Sequence, residues 1–195
     1  MQNIITNRLT LRAIKSKDIF SYSELFSDKE TMKLIGGLPL TNDLDIKNVI
    51  YQIKKEEDEG ISIFWTITLS NEKEFIGFVR LMNYNSIYYD LSFDIMGDLK
   101  NSPLLLKYID RKNGWEIDYA LLKDHRNQGI MTEALSAVQN FCIENKLSPI
   151  YAKVNNIENK ATISVLLKTN FFELIPQTSN EGGLGMIYKW EIINQ

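Results

Sequence analysis

Hydrophobic and polar positions follow two different periods along this chain. Short runs rich in β-branched and aromatic residues predict strands, and apolar residues spaced three and four positions apart predict helices. The predicted strands cover residues 9–14, 63–69, 75–82, 115–122, 150–154, 171–175 and 186–192. The predicted helices cover 16–26, a short stretch before Gly36, the stretch between Asp43 and Gly60, 127–146 and 159–169.

Polar residues and glycines mark where several of these helices begin and end. The run Thr41-Asn42-Asp43 offers side chains that can cap the helix behind it, and Gly60 ends that helix. The helix at 127–146 carries one apolar stripe, which consists of Ile130, Ala134, Val138, Phe141 and Cys142. The helix at 159–169 is expected to turn three residues inward, namely Ile163, Leu166 and Leu167.

The order of these elements favours an α/β (α+β) fold in a single domain of residues 1–195. A meander of strands precedes a strand–helix–strand unit, which implies a parallel strand pair with a right-handed crossover. Ligands of such sheets lie beyond the carboxyl ends of the strands, near the helix N-terminus. Residues 85–113 form an extra segment, in which 88–96 is a candidate strand and 103–109 a candidate helical piece.

Composition narrows the classes of function. The formal net charge is −3 and the pI is about 5.3, so the basic surplus of a nucleic-acid-binding protein is missing and no nucleic acid is expected as a partner. A mildly acidic protein suits a cationic substrate such as an amine. With one cysteine and one histidine, the chain offers neither an internal disulfide nor a Cys or multi-His metal site. No signal-like or membrane-spanning run is evident, which favours the cytoplasm over a membrane location.

The segment 124–135, Asp-His-Arg-Asn-Gln-Gly-Ile-Met-Thr-Glu-Ala-Leu, leaves a predicted strand and enters an amphipathic helix. A helix N-terminus presents free N–H groups and a partial positive charge, and both favour a phosphate. Gly129 lets the backbone approach such a ligand, and Arg126 can add a positive charge. The alternative interpretation is a plain loop-to-helix junction with a solvated arginine.

Four motifs in this sequence, taken in chain order, resemble one known family. Arg126-x-x-Gly129-x-Met131-Thr132-Glu133-Ala134 is similar to the acetyl-CoA-binding box of the GNAT superfamily, in the variant of its ribosomal-protein N-terminal (RimJ/RimL-like) acetyltransferases. The run 159–171 is similar to that branch's N-x-x-S-x-x-V-L-x-K-x-G-F, with Asn170 in place of glycine. Residues 7–12 resemble its first strand, and residues 115–121 resemble E-I-G-Y-x-L, with Asp118 in place of glycine.

This resemblance implies a GNAT fold, with a mixed, mostly antiparallel central sheet, flanking helices and a splayed parallel strand pair. It implies an enzyme that transfers an acetyl group from acetyl-CoA, as co-substrate, to a primary amine by direct attack in a ternary complex. The cofactor residues that it implies are Tyr119, Ala120, Leu121, Leu122, Arg126, Asn127, Gln128, Gly129, Ile130, Met131, Thr132, Asn159, Thr162 and Lys168. For Asn159, an N-cap is the alternative role or an additional one.

Candidate catalytic residues follow from the needs of acetyl transfer, which are a deprotonated amine and donors for the thioester oxygen. Glu116 is the candidate base, and its alternative is an exposed strand carboxylate. Asp118 shares its face by strand alternation, so the two charges could raise one pKa or simply attract a cationic amine. Thr162 is the candidate hydroxyl, against a role in capping the helix surface. Leu166 stands where many members carry a catalytic tyrosine, and Cys142 is interpreted as a core residue.

Several alternatives stay open at the level of sequence. Residues 88–98 gather three aspartates and two tyrosines, which form either a wet strand face or a lip for a cationic substrate. The glycines at 182–185 predict a hairpin between strands. A GNAT-like module that binds acyl-CoA without transfer is the main rival function, and a nucleotide-binding protein is disfavoured by the missing P-loop and Rossmann patterns. The acceptor amine, a small molecule or a protein N-terminus, and a possible homodimer are left open.

Overall fold

The computed structural model describes residues 2–35, 39–71, 74–84, 113–178 and 184–193. Its strands are β1 Ile4–Ile5, β2 Leu9–Arg12, β3 Ser62–Leu69, β4 Phe75–Asn83, β5 Trp115–Leu121, β6 Ile150–Val154, β7 Phe172–Thr178 and β8 Leu184–Trp190. Its helices are α1 Ile19–Ser27, α2 Lys29–Ile35, α3 Asp43–Asp58, α4 Ile130–Glu144 and α5 Lys160–Lys168, with 3-10 turns at Ser16–Asp18 and Lys123–His125. No helix in the described part of the chain is long and apolar enough to cross a membrane.

The strands form one mixed sheet in the order β1-β2-β3-β4-β5-β6-β8-β7. Antiparallel pairing joins β1 to β2, β2 to β3, β6 to β8 and β7 to β8. The strands β5 and β6 run parallel, with Trp115 opposite Ile150 and Glu116 opposite Tyr151. The helix α4 connects these two strands along the chain, which confirms the predicted fold class and its parallel strand pair.

The chain divides into two compact units. The first unit holds Met1–Leu81 and Asp118–Phe141, and the second unit holds Met82–Ile117 and Cys142–Gln195. Each unit has its own cluster of buried apolar residues. The prediction of a single domain for residues 1–195 stays a prediction.

Aromatic side chains fill the core of the first unit. The rings of Tyr22 and Phe75 have centroids 4.2 Å apart, and those of Phe64 and Phe78 are 5.1 Å apart. Such pairs contribute roughly 0.5–1.5 kcal/mol beyond their buried area. The helices α1 and α3 supply the predicted apolar stripes around these rings, which include Leu25, Phe26, Ile46, Ile50 and Ile53.

The second unit has a smaller cluster, which consists of Met82, Tyr84, Tyr151, Ile175 and Ile187. Tyr84 at the end of β4 meets Tyr151 of β6 edge to face, with ring centroids 5.7 Å apart. Residues from the end of β4 and from β6, β7 and β8 therefore share one apolar cluster.

The helix ends follow the predicted polar signals in most places. Asn42 caps α3 by accepting a hydrogen bond from the N–H of Asp45 at 2.9 Å, as predicted. Gly60 and Asn170 follow α3 and α5 with φ of 69° and 59°, and both adopt the left-handed conformation expected there. The prediction that Leu167 points inward is wrong, because it is 50% exposed on α5.

Two elements differ from the prediction, and several predicted features cannot be compared with the structure. The helix α4 begins at Ile130 rather than at 127, because the positive φ values of Asn127 and Gly129 cannot belong to a right-handed helix. Strand β1 was not predicted, since two residues are too few to show a period. The candidate elements at 88–96 and 103–109, the acidic and aromatic lip, and Gly182-Gly183 lie outside the described residues.

Gly77 marks a place where the first unit tolerates no side chain. A Cβ on Gly77 would lie 2.3 Å from the carbonyl oxygen of Ala120 and 3.1 Å from the Cα of Leu121. We expect Gly77→Ala to cost about 2–3 kcal/mol of unfolding free energy, because backbone must move to admit the methyl group. Gly60→Ala is the matched control: its Cβ meets nothing within 4 Å, so only the positive φ costs about 1 kcal/mol. Urea unfolding measures both, and a Gly77→Ala variant no less stable than Gly60→Ala would contradict the close packing of β4 on β5.

Candidate active site

The turn between β5 and α4 presents a concave set of backbone N–H groups. Its φ angles alternate in sign, with 60° at Asn127, a negative value at Gln128 and 72° at Gly129. The first intrahelical bond runs from the N–H of Glu133 to the carbonyl of Gly129 at 3.1 Å, so the three N–H groups before it have no carbonyl one turn earlier. Alternating handedness before a helix N-terminus is the geometry that binds anions through the backbone.

The side chain of Arg126 holds this turn against its neighbours. Its Nε donates to the carbonyl of Leu121 at 3.0 Å, and its Nη2 donates to the hydroxyl of Thr31. The same nitrogen lies 3.9 Å from a carboxylate oxygen of Asp28. Hydrogen bonds from the side chain and backbone of Thr31 lower the pKa of Asp28, and the charge of Arg126 adds to that effect. The guanidinium therefore anchors the loop to the end of β5 and the start of α2. The sequence had predicted only a contact of Arg126 with a phosphate, and not this structural role.

A second arginine reaches the same turn from the start of β2. Arg8 donates through its Nε to Glu133 at 2.6 Å and through its Nη1 to the carbonyl of Gln128 at 3.0 Å. Its backbone N–H and the hydroxyl of Thr6 also bind the carboxylate of Glu133, at 3.1 and 2.6 Å. Burial raises the pKa of Glu133, but these hydrogen bonds outweigh it and lower that pKa overall. Sequence reasoning missed Arg8 and Thr6 as site residues, although Arg8 and Glu133 lie in two of the quoted motifs.

The end of β5 corrects part of the predicted cofactor set. The N–H of Leu122 donates to the carbonyl of Ile76 in β4 at 2.9 Å. The carbonyl of Ala120 lies against Gly77 of the same strand, as its close approach showed. Because alternate residues of a strand direct their backbone groups to opposite edges, Ala120 and Leu122 face β4 and are not available to pair with a pantetheine arm. The carbonyl of Leu121 already accepts a hydrogen bond from Arg126, so a contact of the pantetheine with Tyr119 or with the N–H of Leu121 stays a prediction.

In the second unit, Glu116 lies in a buried polar group. Its Oε2 accepts a hydrogen bond from the hydroxyl of Tyr84 at 2.7 Å and contacts the Nζ of Lys153 at 2.7 Å. Glu116 is 1% exposed, and the side chain of Lys153 is 7% exposed. The alternative interpretation of Glu116 as an exposed strand carboxylate is therefore wrong. Both contacts are made by the same carboxylate oxygen, so they hold the side chain of Glu116 within the second unit.

The partners of Glu116 were not predicted. Asp118 was the only charged neighbour considered for Glu116, but the buried Nζ of Lys153 contacts Glu116 directly. Lys153 is the one charged residue in the predicted strand 150–154. A charged residue within a strand of apolar residues was the sequence feature that could have indicated a partner for Glu116. A buried side chain with a positive charge needs a carboxylate close by, and the parallel pairing of β5 with β6 brings Glu116 within reach.

The start of α5 places two other candidates together. The Oδ1 of Asn159 accepts a hydrogen bond from the N–H of Thr162 at 3.2 Å, so Asn159 is the N-cap of α5. This bond uses the amide oxygen and leaves the Nδ2 group as a donor. Lys168 lies in the last turn of the same helix, exposed to solvent and about 13.5 Å along the helix axis from the cap.

Cys142 is a core residue, as predicted. It is fully buried on α4, and burial raises the pKa of its thiol to about 12. The thiolate that nucleophilic catalysis needs does not form at such a position. Among the residues that the structure describes, no three His, Cys, Asp or Glu side chains come together as a metal site would require.

The mixed sheet has a parallel pair of strands, β5 and β6, and the turn between β5 and α4 has the backbone geometry that is typical of anion-binding sites. Residues 8–171 match the acetyltransferase (GNAT) domain family, and the chain therefore belongs to that family. This membership confirms the predicted enzyme class, an acetyl-CoA-dependent N-acetyltransferase with acetyl-CoA as co-substrate and an amine as acceptor.

Individual relatives agree with this assignment. The chain is 26% identical over 173 residues to N-acetyltransferase p20 of Bacillus licheniformis, covering 88% of this chain and 83% of that protein. A GNAT-family acetyltransferase from Bacillus anthracis has a similar structure, with a TM-score of 0.72, 19% identity and coverage of 97% and 98%. RimL, a ribosomal L7/L12 alpha-N-protein acetyltransferase solved with coenzyme A, gives a TM-score of 0.73 at 16% identity and covers 98% of both chains.

The buried ion pair yields a test that separates stability from catalysis. Glu116→Gln and Lys153→Met should each cost about 3–5 kcal/mol of unfolding free energy, because each leaves one buried charge without its partner. The double variant should be less destabilised than the sum of the two, since no orphan charge remains. Denaturant unfolding of all four proteins measures the coupling. If Glu116→Gln keeps full stability and loses only turnover, the carboxylate acts as the predicted base and not as half of an ion pair.

Proposed function

We propose that the turn at residues 126–132 binds the pyrophosphate of acetyl-CoA. The observation that carries this proposal is the alternation of backbone handedness at Asn127 and Gly129 directly before α4. A pyrophosphate supplies the acceptors that the first N–H groups of α4 lack within the helix. A plain junction could lead into α4 with ordinary negative φ values, and it would need no glycine at 72°.

The acetyl group passes directly from the thioester to the acceptor amine in our proposal. The chain contains one thiol, and its buried position on α4 excludes an acyl-cysteine intermediate. The base role of Glu116 and the hydroxyl role of Thr162 remain hypotheses. The contacts of Glu116 with Lys153 and Tyr84 favour a charge-holding role for it, and Asp118 is then the more accessible carboxylate of β5, since it is only partly buried.

The finer assignment is to the RimJ/RimL-like branch, with a protein N-terminus or a small primary amine as acceptor. The motif Met131-Thr132-Glu133-Ala134 supports this branch, and Glu133 has a structural reason to be there because it binds Thr6 and Arg8. RimL, with its ribosomal-protein acceptor, is one of the structurally similar proteins. The acidic balance of the chain suits a cationic amine, and we place the reaction in the cytoplasm.

Release of free CoA is the experiment that tests this function. Acetyl-CoA at about 100 times its dissociation constant should add roughly 2.7 kcal/mol of stability, and an amine panel should then contain acceptors that release CoA. Gly129→Glu should raise the dissociation constant at least about a hundredfold, because its carboxylate would repel the pyrophosphate. Gly129→Ala is the matched control: it carries the same backbone strain, and its methyl would lie at an ordinary 3.6 Å from Arg8.

Three outcomes decide between the functions. A wild-type protein whose melting temperature does not respond to millimolar acetyl-CoA has no cofactor site at this turn. Binding without CoA release across the whole panel favours the rival, an acyl-CoA-binding module. Equal affinities of the Gly129→Glu and Gly129→Ala variants would show that the turn is a structural junction.

A second experiment separates the capping role of Asn159 from a contact with the pantetheine. Asn159→Asp keeps a good N-cap acceptor for the N–H of Thr162 but removes the Nδ2 donor, whereas Asn159→Ala removes both. We expect Asn159→Asp to retain the melting temperature and to raise KM for acetyl-CoA severalfold, while Asn159→Ala also loses about 1 kcal/mol of stability. An Asn159→Asp variant with an unchanged KM would limit the residue to its cap.

A further inference from the structure

We propose that Arg8 is a positioning residue for the pyrophosphate turn, and that its ion pair with Glu133 sets the affinity of the enzyme for CoA. This inference rests on the proposed cofactor site at residues 126–132. All the contacts that carry it lie within the first compact unit.

The guanidinium of Arg8 binds the turn at two residues that are five positions apart in sequence, Gln128 and Glu133. Its Nη1 binds the carbonyl of Gln128 at 3.0 Å, and its Nε binds the carboxylate of Glu133 at 2.6 Å. Glu133 lies in the first turn of α4 and receives two further bonds, from the backbone N–H of Arg8 and the hydroxyl of Thr6. One guanidinium therefore ties the loop residue before Gly129 to the first turn of the helix behind it.

The bond to Gln128 fixes the direction of the next N–H group. A trans peptide is planar, so the carbonyl of Gln128 and the N–H of Gly129 point in opposite directions within one plane. Because Arg8 holds the carbonyl side, the N–H of Gly129 is directed to the other side. In a turn with alternating handedness, that other side is where the N–H groups converge on an anion. Arg8 thus acts on the ligand through the peptide group and not by touching it.

The bond to Glu133 removes a charge that would otherwise oppose the ligand. A carboxylate in the first turn of α4 stabilises the helix, but it lies on the element that is to receive a pyrophosphate. The guanidinium of Arg8 neutralises it at 2.6 Å. A lysine could supply the charge but not two bonds in a fixed fork, so Arg8→Lys should not replace Arg8.

The test compares two ligands, CoA and 3′-dephospho-CoA, which share the pyrophosphate. Calorimetry measures the binding of both ligands, first to the wild type and then to Arg8→Met and Arg8→Lys. A further variant, Glu133→Gln, removes the same ion pair from the side of the carboxylate. We expect both Arg8 variants to raise the dissociation constants of both ligands about tenfold, and Glu133→Gln to raise them severalfold. The turnover number at saturating acetyl-CoA should stay within about twofold, because the thioester is remote from the turn in the cofactor. Melting temperatures of the free variants confirm that each one folds.

Lys123→Met is the matched control for charge. It removes one exposed positive charge from the 3-10 turn just before the loop, without any bond to the loop backbone, and should leave both affinities within about twofold. Arg8 variants that bind both ligands like the wild type would overturn the positioning role. So would a loss seen with CoA alone, which indicates a direct contact with the 3′-phosphate, or full rescue by Arg8→Lys, which indicates charge alone. A wild type that binds neither ligand refutes the cofactor site itself.

Discussion

The N–H groups at the start of α4 need acceptors, and the arrangement of the first unit around this turn follows from that need. Left-handed residues at Asn127 and Gly129 gather those groups on one side. Two arginines then hold the turn from outside, Arg126 against β5 and α2, and Arg8 against β2. Each arginine restricts the backbone of the turn through hydrogen bonds to carbonyl groups. A turn that is held in this way loses little conformational entropy if it binds an anion.

Two buried ion pairs in the described part of the chain each join different elements of the fold. In the first unit, Arg12 of β2 makes two bonds of 2.8 Å to Asp18 in the turn that leads into α1. In the second unit, Lys153 of β6 meets Glu116 of β5. A buried pair contributes little net stability compared with apolar packing, but it penalises any shift that separates its members. Each pair therefore serves mainly to fix how its two elements align, and it adds little to the free energy of unfolding.

Local features of the fold could be predicted from sequence, and contacts between distant segments could not. Strand 150–154 and the caps at Asn42 and Asn170 were predicted correctly, because each depends on neighbouring residues. The start of α4 was placed three residues too early, since apolar periodicity does not show the handedness of Asn127 and Gly129. The contact of Arg8 with Glu133 spans 125 residues, and no pattern within one segment could reveal it. Glu116 was singled out as a candidate residue, but neither its burial nor its contact with Lys153 was predicted.

The buried thiol has a consequence for the chemistry of the product. Each turnover of an acetyl-CoA-dependent transferase releases CoA, which is itself a thiol and can form mixed disulfides with accessible protein cysteines. The chain has only Cys142, and this residue is fully buried with a pKa raised to about 12. Disulfide exchange requires an accessible thiolate, which the folded protein does not offer. The folded enzyme is therefore protected from forming a mixed disulfide with CoA.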